Sequence, residues 1–298
     1  MHKSDKTVLV TGATGNQGGS VIRHMLGKGW TLRALVLNPS GEAAQGLARQ
    51  GVELVQGDFD HPASLERAAQ GVYGIYSVQN YWLVGAKREI QQGKNVADAA
   101  KKVGVAHFVY SSAGGADRNS GIRHFASKWE VEGYIRSLGL PATMIRPAGF
   151  MENYYSDQVE LGILQGKLVD GVRADKPYQT IATDDIGAFV ALAFERPDEF
   201  IGQGLEIAGS ELTNPQAAEV FSRVLGKPVV FEEVPLPVLR TWGEEWYEMY
   251  RWFNEEGFQA NIPELRRRYP EVHLHTLEEW LRNEGWHKRA RHVQPPQG

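Results

Sequence analysis

The sequence predicts a doubly wound α/β fold, and three observations carry that prediction. Short β-branched apolar runs alternate with longer segments of helical periodicity through the N-terminal half. A glycine-rich turn, Gly12-Ala-Thr-Gly15-Asn-Gln-Gly18, separates the first apolar run from the first helical segment. Gly residues follow several of the helical segments as C-terminal stops, at Gly29, Gly51, Gly71, Gly104 and Gly139.

Strands are predicted at Thr7–Thr11, Thr31–Leu37, Val52–Gln56, Gly74–Val78, His107–Ser111 and Ala142–Arg146. Between them lie helices near Gln17–Lys28, Glu42–Gln50, Pro62–Gln70, Lys87–Val103 and His124–Leu138. Strand–helix alternation fades after Arg146-Pro147, where Gly, Pro and aromatic residues become frequent. The apolar segment Ile181–Phe194 reads as a helix with Thr183 or Asp184 as N-cap, returning to pack on the sheet, and Leu205–Ala208 as one more strand. The expected organisation is a first domain over 1–155, with 180–210 packing back on it, and a smaller, mostly helical part over 156–179 and 211–290. Residues 291–298, with two Pro and no apolar pattern, are expected to be a disordered tail.

Composition narrows the function classes. With 298 residues the chain can bury a sizeable core, and with no Cys it has no disulfide, thiolate ligand or cysteine nucleophile. Met1-His-Lys-Ser-Asp-Lys6 runs into an apolar stretch too short for a signal sequence, and no stretch nears the ~20 apolar residues of a membrane span. A soluble, unprocessed cytoplasmic protein without membrane partners is therefore expected. A net charge of −4 gives no footprint for nucleic acid, and Arg266-Arg-Arg268 beside Glu264 and Glu271 reads as a solvated helix face. His273 and His275 alternate in a strand-like run without a third ligand at metal spacing, so no metal is expected.

A strand that passes through Gly12, Gly15 and Gly18 into a helix supplies what a pyrophosphate needs: a tight turn, close backbone approach and unpaired helix N–H groups. Residues Gly12, Thr14, Gly15, Asn16, Gln17 and Gly18 are thereby assigned to a dinucleotide. The first domain becomes a mainly parallel Rossmann sheet and the smaller part substrate-facing. The spacing Gly-x-x-Gly-x-x-Gly differs from Gly-x-Gly-x-x-Gly, and it is the strand–turn–helix context that gives it weight.

Several separated motifs add a resemblance. Val10-Thr-Gly-Ala-Thr-Gly-Asn-Gln-Gly-Gly-Ser-Val21, Val55-Gln-Gly-Asp-Phe-Asp60, Val109-Tyr-Ser-Ser-Ala113, Ile145-Arg-Pro-Ala-Gly-Phe-Met-Glu-Asn-Tyr154 and Thr183-Asp-Asp-Ile-Gly187 together resemble the NmrA-like group of atypical short-chain dehydrogenases. That resemblance implies a Rossmann fold and NADP or NAD. It also implies one of two functions: reduction of quinones, dyes or phenolic compounds, or catalytically silent sensing of the nicotinamide pool through a protein partner. Relatives that bind NADP usually carry Arg where this chain has Leu37; Asn38 and Ser40 can only hydrogen-bond, so a weakened 2′-phosphate preference is expected. Asp58-Phe59 resembles the family's adenine-contacting pair, or is a turn cap with a core aromatic.

In better-known short-chain dehydrogenases a Ser polarises the carbonyl, a Tyr donates the proton, and a Lys four residues later tunes that Tyr and holds the ribose. Here Ser111 ends the fifth strand, Lys128 matches the Lys, and His124 replaces the Tyr. His124 is then either a proton donor or a bland residue near the cofactor; Lys128 is assigned to both cofactor and catalysis. Lys94 is a second cation near the dinucleotide or a surface Lys, and Phe150 and Asn153 are assigned to the cofactor. Tyr154 is an alternative hydroxyl donor, and Tyr81, Trp82, Tyr154 and Trp246 are assigned to a substrate pocket. Trp242, Trp246, Met249, Tyr250 and Phe253 share one helical stripe, either core or a wall for a flat substrate.

Overall fold

Runs such as Val8-Leu-Val10 and Phe108-Val-Tyr110 have no polar face, so a sheet built from them must be covered by helices on both sides. The structure, a computed structural model, describes residues 6–289. Along the chain run β1 (Thr7–Val10), α1 (Asn16–Met25), β2 (Thr31–Val36), α2 (Glu42–Arg49), β3 (Glu53–Gln56), α3 (Pro62–Ala69), β4 (Gly74–Ser77), α4 (Tyr81–Val103), β5 (His107–Ser111), α5 (Arg123–Ser137) and β6 (Ala142–Pro147). Next come β7 (Gly149–Phe150), a 3-10 turn (Met151–Tyr155), α6 (Asp157–Leu164), β8 (Lys167–Asp170), β9 (Pro177–Ile181), α7 (Thr183–Glu195), α8 (Pro197–Phe200) and β10 (Gly204–Ile207). The chain continues through β11 (Ser210–Thr213), α9 (Asn214–Leu225), β12 (Val230–Glu233), α10 (Leu236–Trp242), α11 (Glu244–Glu255), α12 (Ile262–Arg268), α13 (Leu277–Asn283) and α14 (Trp286–Arg289).

Two compact units result, one from 6–147 and 183–206, the other from 148–182 and 207–289. In the first, seven strands are ordered β3-β2-β1-β4-β5-β6-β10, with parallel ladders from β3 through β6. Strand order therefore reverses between β1 and β4, the place where doubly wound sheets open a crevice at their carboxyl ends. β4, β5 and β6 are buried at every residue, as continuous apolar runs require. Val96, Ala97 and Ala100 of α4 pack with Val131 and Ile135 of α5 on Leu9, Ile75 and Phe108.

α7 returns to this unit against α1. A Cβ at Gly187 would lie 2.6 Å from the Ser20 carbonyl carbon, so only glycine permits the approach. Asp184 does not spend its carboxylate on capping α7; it accepts from Arg23 at 2.9 Å and meets His24 at 2.9 Å, both on α1. α4 starts earlier than its periodicity indicated: Asn80 caps a first turn by accepting from Trp82 N at 3.0 Å, and Gly85 (φ 74°, ψ 168°) breaks the helix after it.

The second unit is richer in strands than its sequence pattern indicated. β11-β9-β7 and β12-β8 form two small sheets. These strands are four or five residues long and mix polar with apolar residues, so they lack the apolar run that marks β4 to β6. Gly149–Phe150, assigned to the first domain from sequence, pairs with Thr180–Ile181 and groups with the second unit. The 242–253 stripe is split, because α10 ends at Trp242 and α11 begins at Glu244. His273 and His275 lie outside any strand, and the 291–298 tail lies outside the described residues.

Hydrogen bonds from His24 and then Arg23 hold the Asp184 carboxyl well below its ordinary value of 3.8. Its contribution to stability is therefore full above that value and is lost as pH falls further. Because the side chain is 43% exposed, solvent screens the pair, and Asp184→Asn should cost under about 1 kcal/mol at pH 7. Urea unfolding at several pH values should show that difference shrinking below about pH 4.

Candidate functional site

The site in the first unit starts where β1 ends. Thr11 N donates to Tyr76 O at 3.0 Å, and Thr11 Oγ1 accepts from Val78 N at 3.0 Å, so the exits of β1 and β4 are tied together. Gly12 then turns the chain with φ 59°, and a Cβ there would lie 2.8 Å from Val78 Cγ1. A Cβ at Gly18 would lie 2.3 Å from Gly12 O and 2.7 Å from Thr11 O, so helix and turn touch backbone to backbone. Gly15 differs, since its Cβ would meet only Gly12 O, at 3.4 Å. Packing within the chain therefore demands glycine at 12 and 18 but leaves space at 15. Gly15 is the N-cap of α1 and has no side chain to offer, so the first-turn N–H groups of Asn16, Gln17 and Gly18 keep no capping acceptor. Space plus unspent donors plus the positive helix end is a fit for a pyrophosphate.

Gln17 divides its roles. Its side-chain oxygen accepts from Ser111 at 2.7 Å and from the Tyr76 hydroxyl at 3.2 Å, pointing inward and bracing α1 against β4 and β5. Ser111, expected to face a substrate carbonyl, is buried and committed to Gln17. Its neighbour Ser112 is also buried, yet its hydroxyl has no partner among the described residues. The Val-Tyr-Ser-Ser run held both serines, and only the tertiary contacts separate them.

Lys128 is tightly seated. Its Nζ donates to Gln79 O at 3.0 Å and pairs with Glu89 Oε1 at 2.7 Å, while Ser127 donates to the other Glu89 oxygen. Glu89 is fully buried, an unexpected place for a residue from the charged run Lys87-Arg-Glu89. An ammonium has three donors, so one remains for a ligand. His124, Tyr81 and Trp82 come together: the imidazole lies 5.4 Å from the Tyr81 ring and 5.1 Å from Trp82, which is 59% exposed.

The other assigned residues of this unit have local partners. Asn38 Oδ1 accepts from Ser40 N at 3.0 Å in a turn, beside Leu37, which is 70% exposed. Asp58 accepts from Asp60 N at 2.9 Å, and Phe59 packs on the sheet core. Lys94 pairs with Glu130 at 2.7 Å and ties α4 to α5.

The second unit holds Phe150 in β7, and Asn153 and Tyr154 in the 3-10 turn. Tyr154 packs edge-on against Phe221 at 5.0 Å. Trp246 stacks on Tyr250 at 6.3 Å, and the Tyr250 hydroxyl donates to Asp170 Oδ2 at 3.2 Å. Burial pushes the Tyr154, Tyr178 and Tyr250 phenols up, with the Asp170 charge adding to each. All three nevertheless keep some exposed surface.

Sheet order and glycine turn define a Rossmann-type α/β protein. The sequence profile of the NmrA-like family matches residues 4–281, and the chain belongs to that family. It is 31% identical over 276 residues to an NmrA-like family domain-containing protein of Dictyostelium discoideum, covering 85% of this chain and 88% of that one. The NADPH-dependent quinone oxidoreductase of Escherichia coli, solved with NADPH, superposes with a TM-score of 0.79 at 24% identity, covering 93% of this chain and 99% of that one. NmrA, a negative transcriptional regulator solved with NAD, superposes with a TM-score of 0.79 at 22% identity, covering 98% and 99%. At these identities the superpositions establish the fold, which an enzyme and a regulator share.

Removing Lys128 alone would strand a buried carboxylate. Lys128→Met should cost about 3 kcal/mol in urea unfolding, and Lys128→Met with Glu89→Gln should recover more than half of it.

Proposed function

We propose that the protein is an NAD(P)H-dependent reductase acting on a flat aromatic or quinone-like acceptor. The observation that carries the reading is the uncapped N-terminus of α1 with open space at Gly15, set where the strand order reverses. When bound, the dinucleotide supplies hydride; the chain supplies position and polarisation. Asn16, Gln17 and Gly18 hold the pyrophosphate with backbone N–H groups. Lys128, fixed by Glu89 and Gln79, offers its remaining donor to the ribose. His124, in its aromatic group with Tyr81 and Trp82, holds the proton that an acceptor oxygen takes up.

A second reading, a silent redox sensor that acts through a protein partner, is favoured by specific observations. Tyrosine is absent at 124, Ser111 is spent on Gln17, and Glu89 neutralises the charge that would tune a phenol. Nicotinamide forms would then act by differential affinity alone.

Titration with NADH and NADPH, followed by a turnover panel of quinones, dyes and enones, separates the two. Dinucleotide binding with no oxidation by any acceptor would end the reductase reading. Leu37 and the turn-bound Asn38 offer no charge to a 2′-phosphate, so the two cofactors should bind within about tenfold of each other. Leu37→Arg should tighten NADPH by about tenfold and leave NADH within about threefold.

A further inference from the structure

We infer that residues 81–84 form a flap that pivots at Gly85 and closes Trp82 and Leu83 over the nicotinamide ring of a bound dinucleotide. Gly85 carries φ 74° and ψ 168°, a conformation essentially reserved for glycine. A Cβ there would meet nothing within 4 Å. Packing therefore makes no demand for glycine at 85, as it does at 12 and 18; the backbone conformation alone does. That conformation interrupts α4 and sets its first turn apart from the rest of the helix. Backbone held in such a region at an exposed position marks a segment whose shape serves a function.

The two sides of the break are held differently. Beyond Gly85 the helix is tied to its neighbours by a row of side chains: Glu89 to Lys128 at 2.7 Å, Gln92 to Asp60 at 3.1 Å, Lys94 to Glu130 at 2.7 Å and Lys102 to Glu66 at 2.6 Å. Before it, the turn closes on its own cap, with Trp82 N donating to Asn80 Oδ1 at 3.0 Å and Leu83 N to Asn80 O at 3.2 Å. Trp82 and Leu83 are consecutive, and they are 59% and 80% exposed. Two adjacent large apolar side chains in water at the carboxyl edge of the sheet are a surface that a ligand can cover.

The foot of the turn shares an anchor with the cofactor residues. Lys128 donates to Gln79 O, one residue before the Asn80 cap, and the Tyr81 and Trp82 rings lie against His124, one helical turn before Lys128. A ribose held by Lys128 therefore lies next to Gln79, and the ring it carries lies at the foot of the turn. The indole and the leucine side chain bring no charge and suit a neutral reduced nicotinamide. Only the ligand offers an apolar face for them to cover, so its binding shifts the turn toward the closed position and shields the hydride from water.

The inference rests on the reading that α1 and Lys128 seat a dinucleotide, and not on turnover. NADH and ADP-ribose, which keeps both phosphates and the ribose but lacks the nicotinamide ring, test it by equilibrium binding and by amide hydrogen exchange. In the wild-type protein the amides of residues 81–85 should exchange at least about fivefold more slowly under saturating NADH than under saturating ADP-ribose. Leu83→Ser, at an exposed position, should weaken NADH by about fivefold and leave ADP-ribose within about twofold. Gly85→Ala, which meets no atom and changes only the backbone preference, should shift the two affinities in the same way. Equal exchange under the two saturating ligands overturns the inference without any variant, so a misfolded Gly85→Ala leaves it testable; equal losses of both ligands in a folded Leu83→Ser also overturn it. If neither ligand binds, the dinucleotide reading falls and the flap with it, whereas binding of both with like exchange at 81–85 ends the flap alone. Slowed exchange under NADH in a protein that passes hydride to no acceptor would sustain the flap and end the reductase reading.

Discussion

A side chain at Gly18 would collide with two backbone carbonyl oxygens, and the architecture of the first unit depends on its absence. Because α1 can touch the exit of β1, its N-terminus comes to the line between β1 and β4, where the strand order reverses. That contact positions Gln17 to reach Ser111 and Tyr76, and it leaves the first-turn N–H groups without a capping side chain. The same helix receives α7 through the close approach at Gly187. One backbone contact thus links the sheet, the N-terminus of α1 and the returning segment.

Two carboxylates show how different surroundings give a similar chemical group different work. Glu89 is fully buried and compensated: Lys128 and Ser127 take both its oxygens, and the pair ties α4 to α5. Among the described residues Asp170 accepts from neutral donors, Val172 N, Asn214 and the Tyr250 hydroxyl. A paired buried charge rigidifies, while an unpaired one is a standing demand for a counter-ion. Lys128 therefore contributes more to geometry than to net field.

Much of the first unit was legible in the sequence because its signals are local. β-branched runs covered on both faces can only be central strands, and Gly12 and Gly18 sit where a strand must turn into a helix. The six strands predicted before residue 147 agree with β1 to β6 to within a residue or so at each end. In the second unit the strands β8, β9, β11 and β12 were hidden, since four or five residues of mixed polarity carry no apolar run long enough to mark them. Gly85 and the break between Trp242 and Glu244 likewise divided segments that periodicity treated as continuous or left as loop.

The site shows the same division more sharply. Sequence by itself determined the glycine turn, the replacement of tyrosine by His124, the lysine at 128 and the uncharged end of β2, because each is a residue type at a fixed offset from a strand. Only the tertiary structure decided that Ser111 is spent on Gln17 while Ser112 has no partner among the described residues, that Glu89 lies buried against Lys128, and that Tyr250 and Asn214 donate to Asp170. Those facts depend on partners tens of residues away, and the worth of a charge or hydroxyl is set by what solvates it, which chain order does not record.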